Sequence, residues 1–169
     1  MDHLSSMQEQ LCEESQWDFS DLRALFINCT LKRSPEVSNT RALADLSVAI
    51  MERNGVSVEV IRAADHAIAT GVQPDMTEHG WERDGWPEIF EKVMAADILV
   101  LLSPIWLGEK SSVCRQVIER LYGNSHLLND DGQYAYYGRT AGCLITAQPN
   151  PCSRCGSRCA PTCARCSST

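Results

Sequence analysis

Residues 84–106, DGWPEIFEKVMAADILVLLSPIW, decide the fold. From Trp86 to Ala96, Ile89, Val93 and Met94 recur at helical spacing, so one face of a helix is apolar. Asp97 then leads into Ile98 to Leu102 (ILVLL), an unbroken apolar run of strand length. Such a run belongs to a strand covered on both faces, the usual state of a parallel sheet. A helix feeding directly into a doubly buried strand is half of a strand–helix–strand repeat.

The pattern extends in both directions. Upstream, Ala24 to Asn28 (ALFIN) reads as a short buried strand, and Asn39 to Asn54 as a helix with Leu43, Leu46, Ile50 and Met51 inward and Gly55 as its stop. Val56, Val58 and Val60 alternate with polar residues in a second strand. Downstream, Ser111 to Leu121 gives a helix through Val113, Val117, Ile118 and Leu121, and Thr140 to Thr146 a fourth strand. Alternating strands and helices predict an α/β domain with a doubly wound parallel sheet.

Composition divides the chain into an acidic lead (residues 1–22), the α/β body (23–147) and a cysteine-rich tail (148–169). In the lead, Leu4, Met7, Leu11 and Trp17 suit either a short amphipathic helix on the domain or a loosely held extension. The 169 residues fit one domain, and no apolar run approaches the roughly 20 residues of a spanning helix, so no membrane partner is expected. The lead lacks the features of a secretory signal, which predicts a cytoplasmic protein. A net charge of −7 without a basic stripe argues against nucleic acid as a partner.

Two loops carry candidate chemistry. After the first strand, residues 28–40 (NCTLKRSPEVSNT) run straight into a helix, so unpaired N–H groups, several hydroxyls and a cation would surround a phosphate monoester placed there. A plain helix cap at Ser38 or Asn39 with solvated Lys32 and Arg33 fits the same residues. After the central strand, Ser103-Pro104-Ile105-Trp106-Leu107-Gly108 offers a stiff turn, a wide apolar face and a glycine that lets backbone approach a planar ring. Both loops leave the carboxyl ends of strands, where open α/β sheets bind ligands near the switch in strand order; flavodoxin and FMN are the general example of that rule.

With these motifs, residues 24–146 resemble the NAD(P)H-dependent FMN reductase and quinone reductase branch of the flavodoxin-like superfamily. The resemblance rests on TLKRSPEVSNT, on SPIWLGEKSS and above all on residues 84–106. It implies a sheet of order 2-1-3-4 with the family's fifth strand missing or replaced, FMN as cofactor and NAD(P)H as co-substrate. It assigns phosphate contacts to Thr30, Lys32, Ser38, Asn39 and Thr40, and ring and ribityl contacts to Pro104, Ile105, Trp106, Leu107 and Gly108. Thr146 would remain from a third cofactor loop. The implied activity passes electrons to a quinone, a flavin or another small-molecule acceptor, with no catalytic side chain required, and homo-oligomers are common among such proteins. An electron carrier without nicotinamide turnover and an inactive, incomplete domain are the other readings.

Cys29 with Arg33, Ser34 and Pro35 resembles the nucleophile loop of low-molecular-weight tyrosine phosphatases, but three residues separate Cys29 from Arg33 where that loop needs five. Cys29 is expected to be a small buried side chain instead. The tail holds Cys152-x2-Cys155 and Cys163-x2-Cys166 with Cys159 between, a spacing that could bind zinc or an iron–sulfur cluster. It contains no aliphatic residue larger than alanine to build the usual small core. No metal ligand is assigned, and the abrupt change of composition after Ala147 suggests a replaced or frame-shifted end.

Overall fold

The computed structural model describes residues 4–147. The cysteine-rich tail, with the metal reading attached to it, lies outside the described residues. Strands β1 (Arg23–Asn28), β2 (Ser57–Arg62), β3 (Ile98–Trp106) and β5 (Thr140–Ala147) run parallel in the order β2-β1-β3-β5. The expected order 2-1-3-4, counted over the parallel strands, is thus present. Helices α2 (Asn39–Arg53), α3 (Trp86–Ala95) and α4 (Ser112–Gly123) connect them.

The alternation of side chains on β1 and β3 builds two cores. Ala24, Phe26, Val100 and Leu102 pack with Ala44 and Val48 of α2 on one face. Leu25, Ile27, Leu99 and Leu101 pack with Ile89, Val93 and Val117 of α3 and α4 on the other. This is why β1 and β3 tolerate hardly any polar residue: every position from Ala24 to Asn28 is buried. Asp97 aligns three strands at their starts, its carboxylate accepting from Arg23 N at 2.9 Å while its own backbone bonds Arg23 O and Thr140 N.

Two features depart from the sequence reading. β3 continues four residues beyond Leu102, pairing Pro104 with Thr146 and Ile105 with Ala147 of β5. It then turns back through Leu107 (φ 52°) and Gly108 (φ 82°) into β4 (Glu109–Lys110), which pairs antiparallel with Ile105 and Trp106. Positive φ at both central positions is what a two-residue hairpin turn of type I′ requires, and it explains the glycine. In the lead, α1 (Ser6–Glu13) starts with a capping box between Ser5 and Gln8. Its apolar residues do not face the domain: Met7 and Leu11 are exposed, and the helix is tied to the end of α2 by Glu13 to Arg53 (3.1 Å) and Cys12 to Asn54 (3.3 Å).

The long link between β2 and α3 is held by a buried ion pair. The side chains of Asp84 and Arg120 are both fully buried, with Oδ2 accepting from Nη2 at 2.5 Å. Asp84 also accepts from the backbone N–H groups of Ala69, Met76 and Trp86 at 3.1, 3.0 and 3.0 Å. Arg120 lies 5.9 Å from the Trp86 ring centre, and Trp86 Nε1 donates to Asn124 at 2.7 Å. One carboxylate therefore fixes three points of a loop that has little regular structure of its own.

The link before β5 is secured by Tyr136, whose hydroxyl donates to Leu121 O at 2.7 Å and whose ring meets Phe90 edge-on. Burial pushes the Tyr136 phenol up to about 12. The neutral form is the one the fold accommodates, while an unfolded tyrosine ionises near 10, so this contribution is intact below about pH 10 and is lost as pH rises toward 12. Chemical denaturation at pH 9 and pH 11.5 is expected to show a stability loss that Tyr136→Phe reduces; an identical loss in the variant would assign it to other groups.

Candidate functional site

A cavity of about 620 Å³ opens at the carboxyl ends of β1, β3 and β5. One side is the segment between β1 and α2: Thr30, Leu31, Lys32, Ser38, Asn39 and Thr40. The other is formed by Pro104, Ile105 and Trp106 of β3 with Ile145, Thr146 and Ala147 of β5. The structure thus gathers nine of the eleven residues singled out from sequence around one space. Leu107 and Gly108 are not among its walls. They form the hairpin tip, with Leu107 95% exposed, because β3 runs on as a strand through Trp106.

The polar side is built around the start of α2. Ser38 caps the helix, its hydroxyl accepting from Arg41 N at 3.3 Å. The cap leaves other first-turn N–H groups free of intrahelical partners, which makes the helix start a natural seat for an anion. Thr40 Oγ1 and Thr146 Oγ1 lie 2.9 Å apart and share a hydrogen bond that ties α2 to the end of β5. At the base of the loop, Asn28 accepts from Thr30 N at 3.1 Å while its buried Nδ2 has no partner.

Contacts from distant positions hold the loop in shape. Asp65, just after β2, accepts from Ser34 N at 2.8 Å and from Ser34 Oγ at 2.6 Å. These bonds hold the Asp65 carboxyl below the ordinary range. Arg62 donates to Glu36 O at 2.9 Å, and Lys32 Nζ to Val37 O at 3.1 Å. Ser111 joins the two halves of the site, donating to Cys29 O at 2.7 Å and accepting from Cys114 N at 3.0 Å. Sequence reading missed Arg62, Asp65 and Ser111 as supports, because each acts on a backbone group far along the chain.

Cys29 is fully buried. Its thiol donates to Ile27 O at 3.5 Å, and the neighbouring Cys114 thiol, and then burial, push it far above the ordinary range, the opposite of an activated nucleophile. Asp84, Tyr134, Tyr136 and Tyr137, which sequence placed in loops that could shape a substrate pocket, do not line the cavity. Among the described residues, no group of three or more His, Cys, Asp or Glu side chains is placed to hold a metal ion.

Comparison with known proteins follows the same geometry. The profile of the family described as NADPH-dependent FMN reductase matches residues 22–154. This chain belongs to the NADPH-dependent FMN reductase family. An 8-demethyl-8-aminoriboflavin-5'-phosphate synthase of Streptomyces davaonensis is 36% identical over 129 residues, 73% of this chain and 50% of that protein. The crystal structure of RosB with bound 8-demethyl-8-formylriboflavin-5'-phosphate superposes with a TM-score of 0.68 at 34% identity, covering 79% of this chain and 55% of that one. A Mycobacterium bovis protein named divalent metal cation transporter MntH is 61% identical over 137 residues, 81% of this chain but 20% of that protein.

A Klebsiella pneumoniae protein described as a candidate quinone reductase shares the fold, with a TM-score of 0.51 and 18% identity over 75% of this chain and 59% of that one. The chain therefore spans half or less of the curated relatives it matches. No helix among the described residues is long and apolar enough to cross a membrane.

The cavity suits the cofactor of the FMN reductase family. Hydroxyls, a helix start and Lys32 at one end match a phosphate monoester, and the Trp106, Ile105 and Pro104 wall matches a flat apolar ring system. Its volume falls within the roughly 300–1,000 Å³ common for cofactor sites.

Proposed function

We propose that the body of the chain, residues 23–147, binds FMN in this cavity and acts as an oxidoreductase that carries electrons from NADH or NADPH to a quinone, a flavin or another small acceptor. The observation that carries this reading is the meeting, around one space, of the α2 start with the Pro104–Trp106 wall. Ser38, Asn39, Thr40 and Thr30 would hold the phosphate, with Lys32 adding positive charge. Trp106 and Ile105 would support the ring, and Ile145 with Ala147 would close its side. FMN, when bound, supplies the hydride chemistry, so the protein's part is to bind and orient it. A place in the cytoplasm, where reduced nicotinamides are held, belongs to the same proposal.

A second reading is favoured by the relatives whose printed names concern riboflavin-5'-phosphate derivatives. In it the flavin phosphate is the molecule acted upon, held by the same residues. Titration of the protein with FMN, followed by absorbance and flavin fluorescence, tests both through their shared step, and the absence of saturable binding would remove both. NAD(P)H oxidation with an added acceptor, and chromatography of the recovered flavin, then separate them. Trp106→Ala is expected to weaken FMN binding by about 1–2 kcal/mol, roughly 5- to 30-fold, through lost ring contact. Unchanged affinity would show that the ring does not rest on Trp106.

A further inference from the structure

We infer that Cys29 and Cys114 are the two halves of a reversible disulfide site behind the cavity, closed by a small peroxide and reopened by a thiol reductant. Neither thiol lines the cavity, so the binding of a flavin there makes no use of them. Both are free, and both are buried in one core cluster with Ile27, Trp86 and Val117. A single hydroxyl spans the gap between their backbones: Ser111 Oγ donates to Cys29 O at 2.7 Å and accepts from Cys114 N at 3.0 Å. Distant in sequence, the two thiols are neighbours in space, one just beyond β1 and the other in the first turn of α4.

Their surroundings give the two sulfurs different roles. In the first turn of α4, free N–H groups and the helix dipole favour a thiolate at Cys114. The Cys29 thiol, the Ser103 hydroxyl and Lys110 act in the same direction and, against burial, hold Cys114 below the ordinary thiol range. Cys29 is biased the other way and is fixed in the sheet, its N–H donating to Leu102 O at 2.8 Å. Cys114 is thus the attacking sulfur and Cys29 the resolving one. The Cys114 thiolate displaces hydroxide from hydrogen peroxide and becomes a sulfenic acid. The Cys29 sulfur then attacks that sulfur, its proton leaves with the sulfenic hydroxyl as water, and the sulfur–sulfur bond closes. In total two thiols lose two protons and two electrons, and one peroxide becomes two waters. Dithiothreitol returns the electrons and protons and itself becomes a disulfide.

The bond would join the strand end that leads into the Thr30 wall to the helix start that follows the Trp106 hairpin. Oxidation would thereby tie the two sides of the cavity together from behind.

The inference does not rest on flavin binding, and its test needs no flavin. The full chain, folded and reduced, is treated with hydrogen peroxide, capped with N-ethylmaleimide and digested with trypsin. Residues 24–32 (ALFINCTLK) should be recovered joined to residues 111–115 (SSVCR), and dithiothreitol should separate them. In Cys29→Ala, dimedone should label Cys114 as the trapped sulfenic acid. Because the bond closes a loop of about half the chain, oxidation should raise the urea midpoint of the wild type by about 1 M more than that of Cys29→Ala. Peptide mapping uses the wild type and holds even if the variant fails to fold. No joined peptide from the folded chain, a Cys29→Ala protein whose Cys114 takes no dimedone, or a urea midpoint that oxidation raises no further in wild type than in the variant would each overturn the inference.

Discussion

Asp84→Ala is expected to lower the stability of the domain by about 3–5 kcal/mol, the usual cost of leaving one member of a buried ion pair alone. The Arg120 side chain is fully buried, and its Nε and Nη1 already lack protein acceptors. Its other partner is Pro74 O at 3.0 Å, which cannot balance a full charge. The N–H groups of Ala69, Met76 and Trp86 would lose their acceptor in the same step. Against a total stability of roughly 5–15 kcal/mol, such a loss shifts the urea midpoint strongly. The double variant Asp84→Ala/Arg120→Met should recover a large part of it, because the stranded charge is gone. A single variant that unfolds at the wild-type urea concentration would show that this pair does not hold the β2–α3 link.

Asn39→Asp is expected to move stability and flavin affinity in opposite directions. Asn39 is the first residue of α2 and is exposed, and the substitution hardly changes its shape. A carboxylate at a helix start interacts favourably with the helix dipole, so the apoprotein should gain about 0.3–1 kcal/mol. The same carboxylate faces the place proposed for the phosphate. At a separation near 6 Å and an effective dielectric of about 20, one pair of unit charges repels by about 3 kcal/mol. Allowing for screening at an exposed position, FMN should bind about 2 kcal/mol more weakly, roughly 30-fold, and added salt should narrow the difference. Riboflavin, which lacks the phosphate, should bind wild type and variant alike. Equal FMN affinity in the two proteins would place the phosphate elsewhere.

These two sites differ in how visible they were beforehand. The cradle at residues 30–40 is local: the residue types, the strand before it and the helix after it lie within one stretch, so its chemistry could be read along the chain. The Asp84–Arg120 pair is not, because the partners are 36 positions apart and both charged types are ordinarily solvent-exposed. Nothing in GWERDGW marks Asp84 as buried. Leu107 and Gly108 show a third case, since the tight turn was legible in the glycine, but the length of β3 before it depended on pairing with β5.

The sequence by itself determined the doubly wound α/β architecture, since the apolar period switches between strand and helix and β1 and β3 are apolar on both faces. It also determined the polar character of the loop after β1 and the apolar character of the segment after Leu102. Tertiary structure decided that these two segments share one cavity, that Thr146 bonds Thr40 beside it, and that Arg62, Asp65 and Ser111 fix its shape. The reason is physical: periodicity reports which face a residue buries, whereas hydrogen-bond partners far along the chain are chosen by sheet order and strand length, which only the folded chain defines.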